Sequence, residues 1–346
     1  MDVRNLAPAA DKERLAVIVQ TILREPTAPF HEACVRGALA GLLRPMAGVT
    51  LREDDFGNLL AHYRGPGEER GGARYAFCAH MDHPGWVRPE PASGEPWRFL
   101  GGVPADYLEA NRERIRPFGD FAMWDLPDYE ERDGRIHSRA CDDLIGCATV
   151  VATLEALSRA GVPGECLGLF TRGEEVGFAG AIEMARDGWL SAEGWTVISL
   201  ETSAERPPAK MGDGPIVRVG DKTSMFDPTV TAELVATATA AGIPFQRCLM
   251  SGGTCEATPF RLYGVRCGAL CVALGNYHNC GPDNRIEAEY VSASDFQGLV
   301  TLCIQIARRA SAGAPDPDAE LRQHLEDRLT QYQPYYRRDR SPSLPS

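Results

Sequence analysis

The chain has 346 residues, 44% hydrophobic and 24% charged, with 36 Lys and Arg against 48 Asp and Glu for a formal net charge of −12. This composition excludes a disordered polymer and a collagen-like repeat, and no window approaches the roughly 18 to 20 uncharged apolar residues that span a bilayer. Without a basic stripe interleaved with aromatics, an acidic chain also argues against nucleic acid as a partner. One large domain or two unequal ones are expected, with no membrane association. The eleven cysteines are an odd number scattered through apolar segments such as those around Cys78 and Cys271, with no C-x-x-C pair. They read as buried thiols. The opening MDVRNLAPAADKERL lacks a charged-then-apolar leader, so a reducing cytoplasm is the expected compartment.

In chain order, Leu15, Ile18, Val19 and Ile22 share one helical face, and Val35, Ala38, Leu39 and Leu42 repeat that spacing after Pro26 and Pro29. RYAFCAHMD (74–82) predicts a buried strand stopped by Pro84-Gly85. A long amphipathic helix is predicted after Asp142-Asp143, with Leu144, Cys147, Ala148, Val151 and Leu154 turned inward. Apolar runs at 165–171, 196–202, 216–220 and 265–274 alternate with helical patterns at 228–240 and from Ser294 onward. The expected fold is α/β, a mixed and mostly parallel sheet with helices on both faces. Residues 84–138 break the rhythm: they are rich in Pro and Gly, hold Trp86, Trp97 and Trp124, and predict a small inserted β-rich domain. The core domain is then discontinuous, 1–83 and 139–312. Residues 313–346 predict a helix near Asp318–Gln331 and a disordered tail, PYYRRDRSPSLPS.

Acids and histidines gather at the predicted C-terminal ends of strands, where open α/β sheets place their sites. His80 and Asp82 close the first strand on one side, with His83 expected to face away or enter the turn. Asp142-Asp143 opens a helix and alone reads as a cap, and His80 alone reads as a structural histidine. Glu174-Glu175 follows one apolar strand, Glu201 ends another, and His278 lies just past a third. If these strands are neighbours, five or six carboxylates meet in one cleft, and their mutual repulsion calls for cations. Two histidines with several carboxylates and no cysteine suit two divalent ions, zinc first, with cobalt or manganese as substitutes.

FCAHMD, ACDDLIG, FTRGEEVGFAGA, SLET and the His278 region resemble, in that order, the co-catalytic metallo-aminopeptidases of the glutamyl and tetrahedral aminopeptidase type, kin to aminoacylase-like zinc carboxypeptidases. PTAPFHE, DDFGNLLA, GGVPADYL, SGGT and IEAEYVSASD extend the similarity to about Ala312. The resemblance implies a zinc-exopeptidase-like fold and a bridging Asp142. His80 and Glu201 would complete one metal, Glu175 and His278 the other. It implies Glu174 as general base, Asp82 as the carboxylate orienting His80, and a cis Asp142–Asp143 peptide. The chain departs from the family pattern at His83-Pro84-Gly85, at Leu144, at Glu201 in place of the frequent Asp, and at Cys255-Glu256 after SGGT.

The expected activity is hydrolysis of peptide bonds, releasing N-terminal residues from short peptides. A deacylase of N-acyl amino acids would use the same metals, a glycoside hydrolase would need none, and an inactive scaffold would not need the complete residue set. The 84–138 insertion is where such enzymes place an oligomerisation and access domain. At about 55 residues it is short for one, which favours a dimer over a dodecameric cage. His31, His62, His137 and His324 are assigned structural or surface roles. Tyr277, Glu256 and Glu287 are given packing or surface roles ahead of pocket lining, and a cleft-facing Glu256 would favour basic N-terminal residues.

Overall fold

The computed structural model describes residues 12–67, 73–88, 97–312 and 319–336. The predictions for the opening segment and for 337–346 lie outside or largely outside those residues. Two compact units are present, residues 1–313 and 314–346.

The strands of the larger unit, in chain order, are β1 (Val49–Glu53), β2 (Leu59–Arg64), β3 (Arg74–His80), β4 (Gly85–Val87), β5 (Arg98–Leu100), β6 (Ile115–Pro117), β7 (Phe121–Trp124), β8 (Glu130–Arg132), β9 (Arg135–Ser138), β10 (Glu165–Thr171), β11 (Trp195–Ala204), β12 (Ile216–Asp221), β13 (Gln246–Met250), β14 (Arg266–Gly275) and β15 (Glu289–Ser292). Its helices are α1 (Lys12–Leu23), α2 (Ala33–Leu43), α3 (Ala105–Ala110), α4 (Leu144–Ala160), α5 (Ala179–Ala185), α6 (Trp189–Ala192), α7 (Pro228–Ala240), α8 (Ala257–Leu262) and α9 (Ala293–Ala312).

The main sheet runs β1-β2-β10-β3-β11-β14-β15-β9-β8, with β12 paired to β14 and β13 to β12. Its centre, β10-β3-β11-β14, is parallel. These strands are buried on both faces, and so read as continuous apolar runs. Residues of α1, α4, α7 and α9 build the core on one face, and those of α5, α6 and α8 build it on the other. No helix among the described residues is long and apolar enough to cross a membrane.

Local chemistry sets the helix ends. Asp143 caps α4 by accepting the Gly146 amide (3.2 Å), and Gly161 ends the same helix in the left-handed region. Asp227 accepts the Thr229 and Val230 amides ahead of Pro228, so α7 starts at the predicted residue. The strand predicted over 74–82 ends at His80. The β1–β2 hairpin, antiparallel on the β10 edge, had no apolar run to announce it, because β1 is an edge strand with exposed Thr50, Arg52 and Glu53. Its turn is made by Asp54, which accepts the Phe56 and Asn58 amides.

Within 84–138 a second, antiparallel sheet runs β5-β4-β7-β6. The indoles of Trp86 and Trp124 meet edge to face at 4.3 Å in its core. The β8–β9 hairpin instead extends the main sheet through β15. Nine cysteines are buried, but Cys34 is exposed and Cys280 half-buried, contrary to the expectation of uniformly buried thiols. In the smaller unit one helix, α10 (Ala319–Tyr336), continues five residues past its predicted end and through position 334, so 334–336 are helical where a disordered tail was expected.

The depth at which α4 sits on the sheet depends on Gly168 of β10. A Cβ there would lie 2.6 Å from a Val150 methyl and 3.1 Å from one of Leu154. Gly168→Val is expected to overpack this contact and lower stability by about 1–3 kcal/mol in denaturant unfolding. An unchanged midpoint would contradict the packing.

Candidate metal centre

Five segments deliver the candidate residues to one end of the parallel strands. His80 is the last residue of β3, Glu201 lies in the C-terminal half of β11, and Asp142 sits in the turn before α4, joined to Asp143 by a cis peptide. Glu174 and Glu175 occupy a single 3₁₀ turn (Glu174–Val176) after β10. His278 follows β14 in a left-handed turn, with φ of 54°, flanked by Asn276 and Asn279 at 53° and 63°. Asparagine tolerates this region and histidine does so less readily, so the turn depends on external hydrogen bonds.

The side chains converge as two overlapping groups. His80, Glu174 and Glu201 offer ligand atoms all within 4.8 Å of one another, and so do Asp142, Glu175 and His278. Asp142 lies between them, with Oδ1 3.4 Å from His80 Nε2 and Oδ2 3.6 Å from His278 Nε2. Glu175 Oε1 is 3.2 Å from His278 Nε2, and Glu174 Oε2 is 3.9 Å from His80 Nε2.

Each imidazole is fixed through its other nitrogen. His80 Nδ1 donates to the Asp82 carbonyl (3.1 Å), and His278 Nδ1 donates to the Gly102 carbonyl (3.0 Å). Both Nε2 lone pairs therefore face the cluster. The Gly102 contact comes from the 84–138 segment, which is also tied to the loop beyond His278 by Tyr107 on the Gly281 carbonyl and Arg114 on that of Ile286. Asp82 was expected to hold His80 by its carboxylate. That carboxylate stands 3.5 Å from the ring, and it accepts the amides of Glu174 (2.9 Å) and Glu175 (3.2 Å). It therefore fixes the acidic turn. Buried Glu32, from the PTAPFHE stretch, supports the same turn by accepting the Gly173 amide (3.2 Å) and Arg172 Nε (2.7 Å).

The donor set fits divalent cations. Asp142 Oδ1 and Glu175 Oε1 are buried without a hydrogen-bond partner, a costly state for carboxylate oxygens unless a cation is their partner. Burial, reinforced by Glu201 and Glu175, pushes Glu174 well above the usual carboxylate range, and burial pushes Glu201 up to about 8. Burial would raise Asp142 too, but the His278 and His80 imidazoles hold it low. Acids arranged in this way compete for positive charge, which oxygen- and nitrogen-liganded cations supply.

A cleft of about 200 Å³ opens over His80, Asp142, Glu174, Glu201 and His278. Residues 251–254, Arg206 and Arg218 also line it. Tyr277 lines it, its ring stacked on His278 at a centroid distance of 3.8 Å, which corrects its assignment to packing or surface. Glu256 is fully buried under the site and accepts from the Cys78 thiol (3.3 Å), so it gives no reason to expect basic substrates. His83, expected to face away or enter the turn, is buried with Nδ1 2.7 Å from the Asp142 carbonyl and Nε2 3.1 Å from Asn279 Oδ1. Glu289 escaped notice altogether. Its sole sequence trace was its place in IEAEYVSASD, yet it accepts three backbone amides of the site, from Cys141, Asp142 and His278.

Comparison with known proteins shows what the chain is similar to. A family model described as M42 glutamyl aminopeptidase matches residues 105–297, more than half of the chain. A relative from Acetivibrio thermocellus, which carries a provisional aminopeptidase name, is 26% identical over 304 residues, 74% of this chain and 87% of that protein. Among solved structures, an aminopeptidase of Desulfurococcus kamchatkensis superposes with a TM-score of 0.70 at 20% identity, covering 87% of this chain and 96% of its own. The TET1 peptidase of Pyrococcus horikoshii does so with a TM-score of 0.68 at 20% identity, covering 85% and 99%. At such identities the superpositions establish the fold, and the family match establishes kinship. The chain belongs to the M42 glutamyl aminopeptidase family of metal-dependent aminopeptidases, hydrolases acting on peptide bonds.

Proposed function

We propose that the chain releases N-terminal residues from short peptides with two divalent ions, zinc foremost, that share Asp142. His80 and Glu201 complete one ion's ligands, and Glu175 and His278 the other's. The observation that carries this reading is the disposition of Asp142, which offers one oxygen toward each histidine. Divalent ions held by these residues would supply Lewis-acid chemistry, polarising a scissile carbonyl and acidifying a water. Glu174 takes the proton of the attacking water on its carboxylate and returns it to the departing amine. Burial raises its proton affinity, and its place in the 3₁₀ turn beside His80 suits a carboxylate that takes up and returns a proton. Asp82 and Glu32 keep the acidic turn in register with the bound carbonyl through its amides.

Arg218 supports a preference for acidic N-terminal residues. It lies on β12, lines the cleft, is 3% exposed, and spends one nitrogen on Ser203 Oγ (3.1 Å). Its Nε is buried without a partner. A guanidinium left so poorly paired beside a substrate cleft is completed by a carboxylate arriving with the substrate.

The 84–138 segment serves as an inserted unit that supports the His278 ring and takes part in homo-oligomerisation. The reading of self-association draws on the Pyrococcus horikoshii relative, which assembles into a tetrahedron or a large octahedral shell.

Glu174→Gln is expected to keep both ions by metal analysis while turnover of a peptide substrate falls by about 10² to 10⁴. Unchanged turnover would remove Glu174 as the base. Arg218→Met is expected to lower kcat/KM about 10²-fold, some 3 kcal/mol, for substrates with N-terminal Glu or Asp, and to spare those with Leu. Equal losses for both would contradict the acidic preference.

A further inference from the structure

The two proposed ion sites are built on unequal supports. His80 and Glu201 belong to β3 and β11, and each of these strands is paired on both sides. Asp142, Glu175 and His278 all lie outside the ladder, in the turn before α4, in a 3₁₀ turn and in a left-handed turn. The sheet fixes the first site. Side chains must fix the second.

Glu289 does this for two of its three residues. The side chain leaves β15, is fully buried, and points between the loops that carry Asp142 and His278. Oε2 accepts the amides of Cys141 (2.7 Å) and Asp142 (3.0 Å), and Oε1 accepts the amide of His278 (2.8 Å). One rigid carboxylate thus sets the separation between the backbone of the shared ligand and the backbone of the second histidine. A parallel link runs through His83, which joins the Asp142 carbonyl to Asn279, and Asn279 Nδ2 in turn donates to the Arg139 carbonyl (3.1 Å).

We infer that Glu289 is a positioning residue that sets the affinity of the Asp142–Glu175–His278 site more strongly than that of the His80–Glu201 site, which shares Asp142 but takes its other ligands from the sheet. This rests on the two-ion reading above. The physical ground is preorganisation: a site binds tightly in proportion to how little its ligands must move, and hydrogen-bond partners behind the ligands hold them still. An amide in place of the carboxylate keeps one acceptor oxygen and turns an NH₂ group toward backbone N–H donors. Either the Cys141–Asp142 loop or the His278 loop must then shift, while β3 and β11 stay in place.

The test is metal binding to the full-length, chelator-stripped protein, titrated with Co²⁺ by visible absorption and with Zn²⁺ by calorimetry. The unsubstituted protein is expected to take up two equivalents. Glu289→Gln is expected to bind one equivalent about 10- to 100-fold more weakly and to weaken the other, which shares only Asp142, distinctly less. In a His278→Ala background, where the second site is already lost, Glu289→Gln should weaken the remaining equivalent less than it weakens the second equivalent in the unsubstituted background. Asn279→Gly keeps the left-handed backbone, removes the parallel link and should weaken the same equivalent, which decides the matter if Glu289→Gln does not fold. Equal weakening of both equivalents, or wild-type binding in these variants, overturns the inference and leaves the two-ion reading standing. Fewer than two equivalents in the unsubstituted protein removes that reading, and this inference with it.

Discussion

The structure is organised around one electrostatic problem: buried Asp142 and Glu201 and half-buried Glu174 and Glu175 are brought together with two buried imidazoles at the floor of a cleft. A carboxylate in such a place must hold a proton, a cation or a donor. The surroundings supply acceptors to the backbone N–H groups of the cluster's loops and leave the inner carboxylate oxygens for cations. Asp82, Glu32 and Glu289 accept amides of the loops that carry the cluster, while Asp142 Oδ1 and Glu175 Oε1 face imidazole nitrogens and have no hydrogen-bond partner among the described residues. Three further acids are thus used to aim the inner ones, each by accepting main-chain N–H groups.

That division of labour explains the architecture. Parallel strands end together, so the turns after β3, β10, β11 and β14 open on one side of the sheet. The turns are short and carry positive φ at Gly173, Gly177, Phe178 and His278, which lets backbone and ligand atoms crowd into a small volume. The 84–138 segment contributes the Gly102 carbonyl that fixes the His278 ring, so it takes part in building the centre as well as bordering it.

Much of this was legible in the sequence where chemistry interrupts an apolar pattern. A buried strand that ends in His80, or carries Glu201 near its end, announces a polar demand at that position. Glu174, Glu175 and His278 stand next to such strands and were read by the same signal, whereas Asp142, ahead of a helix, alone read as a cap and took its bridging role from the family resemblance. Glu289, His83 and Asn279 were not legible as a network, because they act through backbone atoms of distant loops and no spacing rule connects them. Glu256 shows the opposite failure: adjacency to the SGGT loop suggested a cleft, whereas its helix turns the side chain beneath the site. The β1–β2 hairpin was missed because an edge strand can be polar on its open side, and periodicity then carries little information.

The central claim is that one carboxylate, Asp142, is shared by two ions. Crystals of the zinc-loaded protein, measured on both sides of the zinc absorption edge, test it most directly. The account predicts two anomalous peaks flanking Asp142, one against His80 and Glu201 and one against Glu175 and His278. A single peak, or peaks away from Asp142, would contradict it.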